Sequence, residues 1–304
     1  MASLKHRAEY VAALGGIRFV RLLTPRLADR FAVALGTVIW RLAGGRRRLA
    51  IENLTACFGD RFTQAEVRDI AKRVFQNLAR SFIEFARVPK LGPDGLRAMM
   101  VENGAEHIRR AHDEGSGTVL VTAHFGSWEL VGYWCGLHGV RTHIMVYRQH
   151  NPYINRLVNE LRESFGPRMI EVPEGSKEVF RALKRNELVA AACDQHAPAG
   201  TIIMDFLGRP AAVARGPALF AVRCGSPILP YLLVRERFDR FVLVAGSPIY
   251  PPRSGDESSD IRAMTAAWVR FFEDGIRKYP DQWMWTHNRW KAAVEKNGEE
   301  SETS

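Results

Sequence analysis

The chain has 304 residues, 46% of them hydrophobic and 25% charged, ordinary globular material and enough for one α/β domain of above-average size with an extension. A formal net charge of +10 suits acidic or phosphorylated partners; with no recognition motif for DNA or RNA beside it, no nucleic-acid partner is expected. Cysteines at 57, 135, 193 and 224 lack C-x-x-C or any paired spacing, which excludes a disulfide framework and implies reduced core thiols in the cytosol.

In chain order, the first feature is an apolar stretch punctuated by arginines. Arg18, Arg21, Arg26, Arg30 and Arg41 interrupt residues 8–43, and Arg46, Arg47 and Arg48 form a run behind it. Its apolar piece FAVALGTVIW is ten residues long, whereas spanning a bilayer takes ~20. Two readings stand side by side: helices lying in a membrane interface, with cations snorkelling to anionic headgroups, or a helical hairpin packed on the core. No small-residue cleavage site follows a short apolar segment, which argues against secretion.

Thr63 and Glu66 make a capping box, and Val67, Ile70, Val74, Leu78, Phe82 and Phe85 trace one face of a long helix ending near Pro89. That stripe reads most simply as core, although the same pattern can line a tunnel for an apolar chain. Helices near 104–114, 152–165, 175–185, 212–224 and 257–279 alternate with strands near 117–123, 142–147, 187–193, 226–234 and 240–246. The alternation predicts an α/β fold with a mainly parallel central sheet flanked by helices. Three parts follow: a helical membrane-associating region at 1–60, the α/β domain at 61–292 and a flexible polar tail at 293–304.

Within this pattern VTAHFGSWEL, residues 121–130, carries the chemistry. Residues 117–123 read as a buried strand, so His124 sits at its carboxyl end, the edge where open α/β sheets place their ligands. Gly126 turns the chain, Ser127 supplies a helix N-cap and Glu129 falls in the first helical turn. His124 can then take a proton from an attacking hydroxyl while Glu129 fixes the tautomer and stabilises the imidazolium. A strand-end histidine satisfied by a capping carboxylate, with no chemistry, uses the same residues. No H-E-x-x-H pattern exists, so no metal is expected.

Two more strand ends deliver polar residues to the same edge. Arg148 follows the strand HIMVY and precedes an Asn-Pro helix start, where its guanidinium can grip a phosphate or pair with a surface carboxylate. Asp194 and Gln195 end the run LVAAAC; Cys193 beside them reads as a buried strand thiol rather than a covalent nucleophile. Arg215 near a helix start reads as solvated. Residues 282–291, QWMWTHNRWK, mix three tryptophans with cations, consistent with an amphipathic interfacial helix or a lid.

Together HFGSWE, VYRQHNPYINRLV (146–158), CDQH (193–196) and DQWMWTHNRWK (281–291) resemble the bacterial lipid A biosynthesis, or late, acyltransferase family, within the broader H-x4-[DE] glycerolipid acyltransferases. The resemblance covers residues 8–292. It implies that His124 is the catalytic histidine, Glu129 its paired acid, and Arg148 an arginine at the acceptor's phosphate or the reaction site. Asp194 and Gln195 begin the family's DQD or DQN segment, and they and Arg289, beside His287 and Lys291, are expected at the substrate. His196 departs from the usual acidic or amide residue, residues 197–200 vary the loop that follows, and Asn288 stands where arginine is common.

The implied reaction moves a fatty acyl chain from acyl carrier protein, or from CoA, to a hydroxyl of a lipid A precursor or related phosphorylated glycolipid, with no cofactor beyond that co-substrate. The implied location is the cytoplasmic face of the bacterial inner membrane, peripheral or monotopic, on anionic lipids. Alternatives are a phosphatidylinositol mannoside or lysophospholipid acceptor, or a peripheral membrane-binding protein with a degenerate site.

Overall fold

The structure, a computed structural model, describes residues 3–196 and 200–291. The varied positions 197–199 and the expected tail at 293–304 lie outside the described residues. Helices α1 (Leu4–Leu22), α2 (Pro25–Leu42) and α3 (Gly44–Phe58) precede the long α4 (Gln64–Met99). Thr24 accepts the Leu27 N–H and Pro25 takes the first helical position, so local chemistry starts α2 at its corner.

The small residues Ala28, Ala32 and Gly36 are the buried face of α2. At Gly36 a Cβ would stand 2.5 Å from Gln76 Cα, so glycine is what lets α2 close on α4. The large residues face outward: Leu27, Phe31, Leu35, Val38, Ile39 and Leu42 of α2 are exposed among the exposed Arg26, Arg30 and Arg41, and Phe19 and Leu22 of α1 are exposed beside Arg18. No helix among the described residues is long and apolar enough to cross a membrane.

The Thr63–Glu66 capping box opens α4 as the spacing predicts. Its stripe is core at Val67, Ile70, Val74 and Phe85, whereas Phe82 is 59% exposed. The expected stop near Pro89 is overrun: the chain kinks at Gly92, with φ 68° and ψ −178°, and helix resumes to Met99. Proline breaks a helix by removing a ladder bond, and the kink falls between Pro89 and Pro93, at the glycine that can adopt a positive φ.

The strands among the described residues are β1 (Met100–Asn103), β2 (Thr118–Thr122), β3 (Thr142–Val146), β4 (Arg168–Glu171), β5 (Leu188–Ala192), β6 (Thr201–Phe206), β7 (Arg209–Ala214), β8 (Ile228–Arg237) and β9 (Arg240–Ala245). Seven form one sheet, ordered β1-β9-β8-β2-β5-β3-β4. Strands β8, β2, β5, β3 and β4 run parallel, β9 turns back on β8, and β1 lies parallel to β9. The sheet is therefore mainly parallel, as the alternation predicts.

The alternation does not predict β1, β4 or the β6–β7 hairpin. Four-residue edge strands leave no periodic run. The hairpin turns at Leu207 and Gly208, both with positive φ, where the sequence offers a leucine rather than an Asn-Gly signal. The helix expected from 212 accordingly begins at Gly216.

Helices cover both faces. Leu120, Leu188 and Ala190 pack toward α5 (Ala105–Asp113), α6 (Val131–Leu137) and α7 (Pro152–Glu163). Val119, Val121, Val189 and Ala191 pack toward α8 (Ser176–Lys184), α9 (Gly216–Cys224) and α10 (Glu257–Lys278). Burying both faces explains why these strands read as continuous apolar runs.

Candidate active site

Register builds the centre of the site. Strands β2 and β5 pair with Thr122 opposite Ala192, so two residues beyond each carboxyl end His124 and Asp194 emerge side by side. His124 Nδ1 lies 2.7 Å from Asp194 Oδ1, and Asp194 Oδ2 accepts the Trp283 indole N–H at 2.7 Å. A carboxylate only accepts, so Nδ1 carries the proton and Nε2 keeps its lone pair.

The turn after His124 is held tightly. Gly126 has φ 55°, and a Cβ there would stand 1.9 Å from the Leu233 carbonyl oxygen. The Gly126 N–H donates to the Gln282 carbonyl at 2.9 Å, and the Met284 N–H donates to the His124 carbonyl at 3.1 Å. Ser127 is not the expected N-cap: it makes no side-chain cap bond, and its hydroxyl donates to Glu84 at 2.9 Å while residues Trp128–Leu130 form a short 3-10 turn before α6.

The structure corrects the expected partner of the imidazole. Glu129 is held by Arg162 on α7, with guanidinium bonds of 2.6 and 2.8 Å, and Asp194 takes the place at Nδ1. A bidentate arginine in a half-desolvated site captures the carboxylate more strongly than a neutral imidazole can. Sequence reasoning missed Arg162; a charged residue beside the buried Leu157 and Leu161 of α7 was the only signal.

Electrostatics follow from these contacts. Burial pushes the His124 imidazolium down, but the Asp194 charge, its hydrogen bond and the Glu129 charge outweigh that and raise the pKa above the ordinary 6.5, with Arg162 opposing. Burial pushes Asp194 up, and the His124 charge with the bonds from His124 and Trp283 brings it below the usual carboxylate value. Burial pulls His287 down, helped by the charges of His124, Arg289 and His196, with Asp194 opposing. Cys193 is a buried thiol pushed well up by desolvation, which suits a core residue and not a nucleophile.

A cavity of about 710 Å³ opens at this edge, bordered by His124, Trp128, Glu129, Arg162, Gln195 and His196. It reaches both halves of the core, past Val131, Ile144 and Tyr231 on one face of the sheet and Val172, Leu219 and Phe220 on the other. Its size and apolar walls suit a lipid-like ligand. Among the described residues, no three His, Cys, Asp or Glu side chains are grouped as a metal site needs.

Other expected residues fall outside the cavity wall. Tyr147 and Gln149 line it, but Arg148 between them is exposed and donates to Glu171 at 2.6 and 3.0 Å. Arg289 is 1% exposed beneath the β6–β7 hairpin, donating to the Ala212 carbonyl with its guanidinium 4.8 Å from the Phe206 ring centre. Burial pulls its pKa down to about 10, with Asp194 opposing. Gln195 does line the cavity, with its amide 3.7 Å from Met284 Sδ.

The terminal tryptophans form neither an interfacial helix nor a lid. Trp283, Trp285 and Trp290 are 2%, 0% and 2% exposed, with Trp283 and Trp285 edge to face at 4.6 Å. Asn53 donates to the carbonyls of Trp285 and His287, which ties this irregular segment to α3. Aromatic rings with satisfied N–H groups bury well, and Trp283 meets that condition through Asp194.

A family model described as bacterial lipid A biosynthesis acyltransferase matches residues 2–292. Similar relatives include a phosphatidylinositol mannoside acyltransferase of Mycobacterium tuberculosis (strain ATCC 25618 / H37Rv), 26% identical over 96% of this chain and 91% of that protein. A lipid A biosynthesis lauroyltransferase of Escherichia coli (strain K12) is 28% identical over 88% of this chain and 86% of its own. A myristoyltransferase of the same pathway name and strain is 22% identical over 90% and 83%. A family match across nearly the whole chain and relatives named as acyltransferases lead to one conclusion: the chain belongs to the bacterial lipid A biosynthesis acyltransferase family and is an acyltransferase.

Proposed function

We propose that this enzyme transfers a fatty acyl chain from an acyl-carrier-protein or CoA thioester to a hydroxyl of a phosphorylated glycolipid, a lipid A precursor or a related molecule, at a membrane surface. The observation that carries the reading is the His124–Asp194 pair, 2.7 Å apart, at the mouth of the cavity. His124 Nε2 takes the acceptor's hydroxyl proton as the oxygen attacks the thioester carbonyl carbon. The C–S bond then breaks, and the imidazolium returns the proton to the leaving thiolate. Asp194 holds Nδ1 and stabilises the imidazolium; the Glu129 charge assists from behind its pair with Arg162.

Supporting the membrane reading, the outward face of α2 presents large apolar side chains among arginines, as an interfacial helix on anionic lipid requires. Phe82, exposed on α4, contacts Trp128 at 6.2 Å, and Trp128 contacts His124 at 5.2 Å between ring centres, an apolar route from surface to base. A net charge of +10 suits an acidic carrier protein and a phosphorylated acceptor. Arg148 stands at the rim, where a phosphate can displace Glu171 from its guanidinium, and Gln195 contacts the acceptor in the cavity; Arg289, buried under the β6–β7 hairpin on the Ala212 carbonyl, lies outside the cavity wall.

A second acceptor, a phosphatidylinositol mannoside, is favoured by the similarity to the relative of that name. The test is purified enzyme incubated with acyl-carrier-protein and acyl-CoA thioesters and each acceptor, with product masses read out. A mass gain of one acyl chain on a phosphorylated glycolipid is expected, and its loss in His124→Ala by at least about 10²-fold. Acylation of lysophospholipid alone, or near-normal turnover by His124→Ala, would overturn the reading.

A further inference from the structure

Beneath the turn that follows His124 lies a buried charge pair. Glu84 on α4 is 0% exposed and Arg235 on β8 is 4% exposed at its side chain. Arg235 Nε donates to Glu84 Oε1 at 2.9 Å and Nη2 to Oε2 at 2.6 Å. Two serines connect this pair to the turn. Ser127 Oγ donates to Glu84 Oε2 at 2.9 Å. Arg235 Nη2 donates to Ser81 Oγ at 2.7 Å, and Ser81 in turn contacts the Gly126 carbonyl at 2.5 Å.

Arg235 also reaches the other half of the site. Its backbone N–H donates to the Gln282 side-chain oxygen and its carbonyl accepts the Gln282 amide, both at 2.8 Å. Gln282 immediately precedes Trp283, whose indole holds Asp194. One residue therefore braces the segment before the Asp194 anchor and, through Glu84, the segment after His124.

Stability alone does not account for this arrangement. Removing two charges from water costs several kcal/mol each, and well-packed apolar replacements of buried pairs are often neutral or stabilising. Arg235 Nη1 is moreover buried with no hydrogen-bond partner. What directional, charge-assisted bonds supply that oil-like packing does not is a fixed place for a backbone. A displacement of about 1 Å at a reacting group is enough to cost about 10² in rate.

We propose that Glu84 and Arg235 form a positioning unit for the catalytic turn: through Ser127, Ser81 and Gln282 they hold the backbone on both sides of the His124–Asp194 contact. Neither side chain lines the cavity, so they act through the dyad and not on substrate. The inference rests on His124 serving as the general base.

The test compares Ser127→Ala, Ser127→Thr and the paired replacement Glu84→Leu with Arg235→Met, each checked for fold by circular dichroism, with His124→Ala alongside. Ser127→Ala is expected to lower kcat about tenfold with KM changed less than about twofold, and Ser127→Thr, which keeps the hydroxyl, to restore most of it. The acid limb of the kcat/KM profile should move to lower pH in Ser127→Ala, because a loosened His124 turn weakens the contact with Asp194 that favours the imidazolium; the other charges facing His124, from Glu129, Arg162 and His287, stay in place. A folded paired variant should lose about 10² in kcat. Wild-type kcat and an unmoved acid limb in Ser127→Ala overturn the proposal, whether or not the paired variant folds. If His124→Ala still loses turnover in that case, only the positioning unit has failed; if His124→Ala keeps turnover, the general-base reading has failed first.

Discussion

Two stretches of this chain mix large apolar residues with arginines, and they end in opposite places. On α2 the large residues Leu27, Phe31, Leu35, Val38 and Ile39 face outward, whereas Trp283, Trp285 and Trp290 near the C-terminus are almost fully buried. The difference lies in what occupies the packing seam. On α2 it is Ala28, Ala32 and Gly36, small enough for α4 to approach, so the bulky side chains are left over for the surface. In the terminal segment the backbone is irregular, and Asn53, Arg46 and Gln282 satisfy its carbonyls or fix its neighbours, so the rings can turn inward and interlock. Composition is shared; the size of the seam residues and the fate of the backbone decide burial.

That contrast ties the terminal segment, through Trp283, to the His124–Asp194 pair and leaves α2 a surface, and it can be broken experimentally. The largest effect is expected at the point the terminal segment supports. Asp194→Asn should lower kcat/KM by about 10² or more, since an amide no longer fixes the tautomer. The direction of its pH effect follows from the dyad. With its pKa raised by Asp194, native His124 keeps its proton to higher pH than an ordinary imidazole, so the acid limb of activity should lie correspondingly high. Loss of the Asp194 charge lets burial dominate, and the limb should move to lower pH; a limb moving upward would contradict the dyad.

Next comes the core of the terminal segment itself. Trp285→Ala empties a fully buried site and should cost about 3–5 kcal/mol in urea unfolding. A cost below about 1 kcal/mol would mean that the Trp285 ring is not locked into the core. The converse change on α2, Leu27→Ser with Phe31→Ser and Leu35→Ser, should leave stability within about 0.5 kcal/mol per site. Partition to anionic vesicles should weaken more than about tenfold in co-sedimentation, because each side chain contributes on the order of 1.5 kcal/mol when buried in lipid. Unchanged partition would make α2 an ordinary solvated face. The smallest stability effect is expected for Arg148→Ala, which breaks an exposed pair with Glu171 worth at most about 1 kcal/mol.

Much of the site was legible in the sequence. His124 and Asp194 could be placed at strand ends because β2 and β5 are uninterrupted apolar runs bounded by turns, and period and length mark such strands locally. The pairing of the two residues was not legible. Proximity in sequence favours Glu129, five residues on, whereas Asp194 lies 70 residues away and meets His124 only through the register of neighbouring strands. Arg162 and the Glu84–Arg235 pair were hidden for the same reason: each lies on a helix or strand whose pattern reports burial and not partner.

By itself, then, the sequence determined the long helices, the buried parallel strands, their alternation and the residues able to do proton chemistry, because these depend on side-chain type and spacing within one segment; the short edge strands and the β6–β7 hairpin carry no such pattern. Only the tertiary structure decided which carboxylate meets the imidazole, which arginine binds which acid and which aromatic residues reach water. Those outcomes are set by competition among groups far apart in the chain, and strand register, close approach at Gly36 and Gly126 and the burial of charge resolve it.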